Sequence, residues 1–208
     1  MADLTGGNYP QHSPWAALLG NLANETQSNI PARGNHEFGI GQWVDGALAG
    51  SGVACAVAIP IDPGTVITRV NMFVGATPAS TPTHTAVALY SGIATPAIIG
   101  TQGTDTTTTA VAASGLFQQK LGSPYMIKPA DAPNGYIYAA VTQTATAVFT
   151  ALGFTTPTAV NIQYFTGSTT PAAVQPMWAA TSGTALAGVM PATLTLAAKA
   201  VAPLIILT

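Results

Sequence analysis

The segment "TVITRVNMFVG" (65–75) alternates residue by residue, and that period limits the folds open to the chain. Val66, Thr68, Val70, Met72 and Val74 fall on one side, and Ile67, Arg69, Asn71 and Phe73 on the other. A period of two belongs to a β-strand, whose successive side chains point to opposite faces of a sheet. "HTAVALYSG" (84–92) repeats it, with Thr85, Val87 and Leu89 on one face and His84, Ala86, Ala88 and Tyr90 on the other. "GYIYAAVTQT" (135–144), entered through the turn signal "PNG", reads as a third strand, "AVNIQYFTG" (159–167) as a fourth, and "AVAPLIILT" (200–208) as an apolar closing strand. Gly- and Pro-bearing stretches such as "GATPASTPT" (75–83) separate them. The polar, low-complexity "GTQGTDTTTTAVAASG" (100–115) reads as a surface loop. Val70, Met72, Val74, Val87, Leu89, Ile137 and Val141 occupy alternate positions of three strands and are expected to line one core between two sheets.

The first 46 residues differ from this pattern. "SPWAALLGNL" (13–22) carries a plausible N-cap in Ser13 and a proline at the first helical position. Trp15, Leu18, Leu19 and Leu22 then share one helical face. A helix this short is marginal alone and needs a surface to dock on. Residues 24–43 show no periodicity and read as an extended, glycine-punctuated arm. The expected architecture is all-β: an antiparallel β-sandwich over 47–208, preceded by an extended N-terminal arm, 1–46, that carries a short helix and serves assembly or anchoring.

Charge narrows the partners. Only 6% of residues are charged, against about 25% in ordinary soluble domains. Five Lys and Arg and a net charge of −2 supply no basic face for phosphates, so neither nucleic acid nor an anionic membrane surface is an expected partner. The small-apolar run "ALAGSGVACAVAI" (47–59) is too short to cross a bilayer, so no membrane insertion is expected. "MADLTGGNYP" lacks a basic start before an apolar run, and the reading expects no signal peptide and synthesis in a cytoplasm. A surface this poor in charge needs neutral Thr and Ser or a covering partner. Leu204, Ile205, Ile206 and Leu207 are consecutive, so both faces of that strand are apolar, and a neighbouring subunit or the arm is expected to cover one of them. That reasoning leads to a homo-oligomer.

Residues that carry chemistry are sparse. Cys55 stands alone among small apolar residues and reads as a buried small hydrophobe. The seven acids are scattered, and Asp62 and Asp131 occupy turn signals where Asp bonds nearby backbone. No metalloprotease, nucleophile-elbow or P-loop motif occurs, and the three histidines have no ligand spacing. No catalytic residue, metal site or cofactor is therefore expected. His84 opens its strand and is expected to be exposed or bonded to a loop.

The central segment resembles a known family. It reads "GTVITRVNMFVGATPASTPTHTAVALYSG" and then "SPYMIKPADAPNGYIYAAV", with Ala88-Leu89-Tyr90-Ser91, Pro124-Tyr125 and Gly135-Tyr136-Ile137-Tyr138-Ala139 carrying the likeness. These motifs are similar to those of the jelly-roll-like β-sandwich structural proteins of tailed bacteriophages, especially phages of actinobacteria. The resemblance spans roughly 55–208 and rests on packing motifs. It implies a non-enzymatic virion component, either tail-associated, a fibre or a head decoration. Its implied partners are other virion proteins, in a homo-oligomer for which a trimer fits by analogy. Some members of the family are thought to bind cell-surface carbohydrate, so the alternative is a receptor-recognition module for a host glycan. The assembly residues expected are Trp15, Leu18, Leu22, Trp43, Leu204 and Ile206. Tyr90, Tyr136, Tyr138 and Trp178 are the candidates for stacking on a sugar ring, unless the tyrosines fill the core.

Overall fold

The computed structural model describes residues 33–34, 43–105, 111–155, 179–199 and 201–208. All of them lie in one unit, Arg33–Thr208. The strands in chain order are β1 (Arg33–Gly34), β2 (Trp43–Ala47), β3 (Val53–Pro60), β4 (Val66–Val74), β5 (His84–Ser91), β6 (Ile98–Ile99), β7 (Gly115–Met126), β8 (Tyr136–Thr144), β9 (Thr150–Thr155), β10 (Ala179–Ser182), β11 (Ala197–Ala198), β12 (Val201–Pro203) and β13 (Ile205–Leu207). They form two antiparallel sheets, and no α-helix occurs among the described residues. The first sheet runs β1-β13-β4-β9-β12, with β7 on β4 and β2 on β9; the second runs β11-β10-β3-β8-β5-β6. The helix expected at 13–22 and the strand expected at 159–167 lie outside the described residues.

The middle of the second sheet shows why these residues make this fold. Registered rows cross β3, β8 and β5: Cys55–Val141–Val87, Val57–Ala139–Leu89 and Ile59–Ile137–Ser91 on one face, Ala54–Thr142–Ala86, Ala56–Ala140–Ala88 and Ala58–Tyr138–Tyr90 on the other. The first face meets the first sheet. Val70, Met72, Val74, Val87, Leu89, Ile137 and Val141, the seven residues picked out by alternation, all lie in that one inter-sheet core. The second face is a carpet of alanines edged by tyrosines, and it is buried too. Leu186, Met190, Leu194 and Leu196, from the segment after β10, lie on it. Small residues let that segment's backbone approach the sheet. Leu186 N donates to Gly52 O at 2.8 Å, Ile98 N to Ala192 O at 2.9 Å and Leu194 N to Pro96 O at 2.9 Å.

Two sequence expectations require correction. Alternation along β4 breaks at a bulge between Ile67 and Arg69. Thr68 N and Arg69 N both donate to Thr208 O, at 2.7 and 2.8 Å. The inserted residue reverses the facing, so Ile67 joins the core and Val66 is exposed, the opposite of a strict two-residue count. The described residues between 100 and 114 form no strand, as the loop reading expects, and β7 begins at Gly115. The chain end is two strands: β12 pairs with β9, and after a step at Leu204 β13 pairs with β4.

That step decides the fate of "PLIILT". Ile205 and Leu207 enter the inter-sheet core, Leu204 is buried, and Ile206 is half-buried on the outer face of the first sheet. The covering of this segment is therefore largely supplied by the chain itself, and its apolar run no longer argues for a second subunit. Backbone at 33–34 and 43–46, read as arm, is hydrogen-bonded into the first sheet through β13 and β9.

Two substitutions test the two faces. Leu89→Ala, in the inter-sheet core, should lower unfolding free energy by about 2–5 kcal/mol. Ala140→Leu, in the centre of the alanine carpet, should cost about 1–3 kcal/mol by overpacking. Denaturant titration measures both; a neutral Ala140→Leu would mean that the covering segment does not press on the sheet.

Candidate functional site

The edge of β5 not paired with β8 holds a cluster of titratable and amide side chains. Beside it runs the segment Thr101–Asp105. Gly103 N donates to Val87 O at 2.8 Å, and Gly122 N, from β7 in the other sheet, donates to Gln102 O at 3.1 Å. The segment thus closes the side of the sandwich between β5 and β7. Asp105 anchors it: Oδ1 accepts from Thr85 N at 3.0 Å, and Oδ2 lies 2.6 Å from His84 Nδ1. Gln102 grips the covering segment, its Nε2 donating to Gly188 O at 3.2 Å and its Oε1 accepting from Met190 N at 2.9 Å. Gln119 crosses from β7, its Nε2 donating to Thr104 O at 2.6 Å and to Thr85 O at 3.3 Å.

A His–Asp pair supplies two of the three members of a nucleophile-activating triad. Among the described residues no Ser, Thr or Cys hydroxyl or thiol is hydrogen-bonded to His84. The other partner of the cluster is a glycine. Gly188 has a φ of +75°, and a Cβ placed there would collide with Asp105 Oδ2 and crowd His84 Nδ1. His84 is therefore a loop-bonded histidine, and what the arrangement does is pin Thr101–Asp105 and the covering segment to the strand.

The other reactive groups are similarly occupied. Cys55 is fully buried, and burial pushes its thiol up to about 12 against a smaller opposing effect of Lys199. Asp131 Oδ2 accepts from Lys128 N at 2.8 Å and from the Tyr125 hydroxyl at 2.9 Å. Burial, and then that carboxylate, raise the Tyr125 hydroxyl to about 12. Asp45 Oδ2 accepts from Ala76 N at 2.9 Å. Among the described residues no group of three His, Cys, Asp or Glu side chains converges as a metal site would need.

The aromatic candidates for sugar stacking are inside the protein. Tyr90 and Tyr138 are fully buried and Tyr136 nearly so. The Tyr90 hydroxyl donates to Pro191 O at 2.7 Å, under the covering segment. Tyr136 and Tyr138 meet edge to face, their centroids 5.6 Å apart. Burial raises the Tyr90 and Tyr136 hydroxyls. None of the three presents a ring to a ligand; they fill the second core. Trp178, Trp15, Leu18 and Leu22 lie outside the described residues. The backbone of Trp43 pairs in register with Phe154. Leu204, expected at an assembly interface, is buried within its own chain and offers no surface; Ile206 keeps a partly open face.

Asp105, Gln102 and Gln119 were not singled out from the sequence. Gln119 had a readable signal, because Phe117, Gln119 and Leu121 alternate with Leu116, Gln118 and Lys120, and the first three are buried. Asp105, in a threonine-rich run, had none.

No family model, curated protein or solved structure matches the chain.

Removing the clamp should loosen the closing segment. Asp105→Ala orphans the Thr85 amide and is expected to cost about 1–3 kcal/mol, whereas Asp105→Asn keeps an acceptor there and should cost less. Gly188→Ala should fall on the same side as Asp105→Ala in thermal unfolding; equal melting of all four proteins would show that the cluster holds nothing. The Cys55 thiol, held neutral well above pH 8, should resist alkylation at that pH in the folded chain and react once denaturant unfolds it. Rapid labelling under native conditions would place Cys55 at the surface.

Proposed function

We propose that the chain is a non-enzymatic structural component of a tailed-phage virion, a jelly-roll-like sandwich that assembles through its N-terminal segment with other virion proteins. The observation that carries this reading is the use made of its few reactive side chains. Asp45, Asp105 and Asp131 each accept from backbone amides, His84 is tied to Asp105, and Cys55 is locked in the core. Among the described residues these acids, the histidine and the cysteine are spent on holding loops and filling the core, which suits a scaffold better than an enzyme. The motif resemblance at 88–91, 124–125 and 135–139 supplies the virion context. The low charge fits a protein whose working state is an assembly. The glycan-binding alternative loses its three tyrosines to the core.

Density-purified particles from the source culture provide the test. Quantitative mass spectrometry should find the chain in the particle fraction at a fixed ratio to the major head or tail protein. Its absence from particles, with the chain recovered only as soluble protein, would overturn the reading.

A further inference from the structure

Four buried side-chain atoms find no hydrogen-bond partner among the described residues: Thr85 Oγ1, Gln119 Oε1, Thr142 Oγ1 and Gln143 Nε2. Buried polar atoms are rarely left so. Thr142 stands apart, in the row Ala54–Thr142–Ala86 on the alanine face. The other three belong to side chains that meet at one end of the inter-sheet core. Thr85 and Gln143 are directly opposed on β5 and β8, on the face that continues Val87 and Val141. Thr85 N donates to Asp105 Oδ1 and Thr85 O accepts from Gln119 Nε2, so both backbone groups point away from β8. Thr85 and Gln143 are therefore a non-hydrogen-bonded pair, with α-carbons about 4.5 Å apart and side chains at their closest. Gln119 enters from β7 in the facing sheet, its Nε2 3.3 Å from Thr85 O.

The three orphan atoms are complementary, yet none bonds another. Gln143 Nε2 has two N–H groups to donate, Gln119 Oε1 has only lone pairs, and Thr85 Oγ1 can do either. Neither glutamine is free to turn toward the other. Gln119 Nε2 is held by Thr104 O at 2.6 Å as well as by Thr85 O, and Gln143 Oε1 accepts from Phe149 N at 3.1 Å. Exchanging the ends of either amide would break those bonds. Thr85, Gln143 and Gln119 are 0%, 1% and 3% exposed, so bulk solvent does not reach them. A cation there would face the amide protons of Gln143, and an anion would face the carbonyl oxygen of Gln119. A small neutral molecule that both donates and accepts meets all three atoms. We propose that Thr85, Gln119 and Gln143 form the binding site of one internal water molecule. The water accepts from Gln143 Nε2, donates to Gln119 Oε1 and makes its third bond with Thr85 Oγ1. Three bonds to otherwise unsatisfied groups is the usual complement of a buried water, and polar atoms beyond direct reach of one another are what such a molecule bridges. It joins the two sheets beside the point where Gln119 holds Thr104, and so belongs to the closure of that side of the sandwich. The site is independent of the virion reading.

The experiment is NMR on the full chain labelled with nitrogen-15, reading nuclear Overhauser contacts between side-chain amide protons and water. The Gln143 side-chain amide should show a water contact with the sign given by a molecule that tumbles with the protein. The contact should persist in Thr85→Val, which has no hydroxyl proton to relay the signal by exchange. Gln119→Leu with Gln143→Leu lines the site with methyl groups. Oxygen-17 relaxation dispersion should then count about one long-lived water fewer than in the wild-type chain. Absence of the contact in the wild-type chain, its disappearance in Thr85→Val, or an equal water count in the folded double variant would overturn the site. Direct pairing of the two glutamine amides would leave Thr85→Val without a contact. The wild-type and Thr85→Val spectra decide the matter even where the double variant does not fold.

Discussion

The fold depends on burying an antiparallel sheet on both of its faces within one chain. Antiparallel sheets commonly leave one face to water and show apolar-polar alternation. Here β3, β8 and β5 alternate large with small instead. Cys55, Val57, Ile59, Val87, Leu89, Ile137 and Val141 face the other sheet, while Ala54, Ala56, Ala58, Ala86, Ala88 and Ala140 face the covering segment. The alanines bring little apolar area each, so their contribution is geometric. They let a loop backbone lie close enough to bring Met190 and Leu194 into the same core as the tyrosines. Six of the chain's alanines make this carpet, and among the described residues no helix is long and apolar enough to cross a membrane.

A cover made of loop must be held by specific bonds, because it has no ladder of its own along most of its length. The chain's scarce polar side chains do that holding. Gln102 binds 188–190 at two points, Thr144 Oγ1 donates to Leu186 O at 2.7 Å, and the Asp105–His84 pair packs where only a glycine leaves room. Gln119 links the two sheets through the core. The arrangement has a cost. Thr85 Oγ1, Gln119 Oε1 and Gln143 Nε2 are buried without a protein partner among the described residues, each a loss on the order of 1–3 kcal/mol relative to a paired group. Gln119, whose Nε2 donates to backbone carbonyls, and Gln143, whose Oε1 accepts from Phe149 N, each hold backbone with one amide atom and leave the other without a protein partner in the core.

What could be read from the sequence follows from which interactions are local. Alternation is local, and it placed seven core residues of β4, β5 and β8 on the correct face. It failed at Thr68, because the bulge there is set by Thr208, which is 140 residues away and bonds Thr68 through both amide and hydroxyl. It also failed at Leu204, where the chain changes partner strands; a run of four apolar residues does not announce which neighbours will cover it. The tyrosines illustrate the same limit. Tyr90, Tyr136 and Tyr138 lie on the strand face opposite the predicted core, which is where a ligand platform would be. Only the return of residues 183–196 across that face turns it into a second core. His84 was legible as loop-bonded in kind, but its partner Asp105 was not, since nothing local ties position 105 to position 84.

The asymmetry between the outer faces follows from the same use of chain length. Residues after β10 are committed to covering the alanine carpet and to supplying β11, β12 and β13. None of the described segments lies over Leu116 and Leu152 closely enough to bury them. That face carries Arg69 opposite Lys120, Asn71 bonded to Gln118, and Asp45 opposite Leu152, beside the apolar Phe73, Leu116 and Ile206. Charge of both signs and a bonded amide pair let this face meet water, as a carpet of alanines could not, and the chain accordingly spends its covering segment on the alanines.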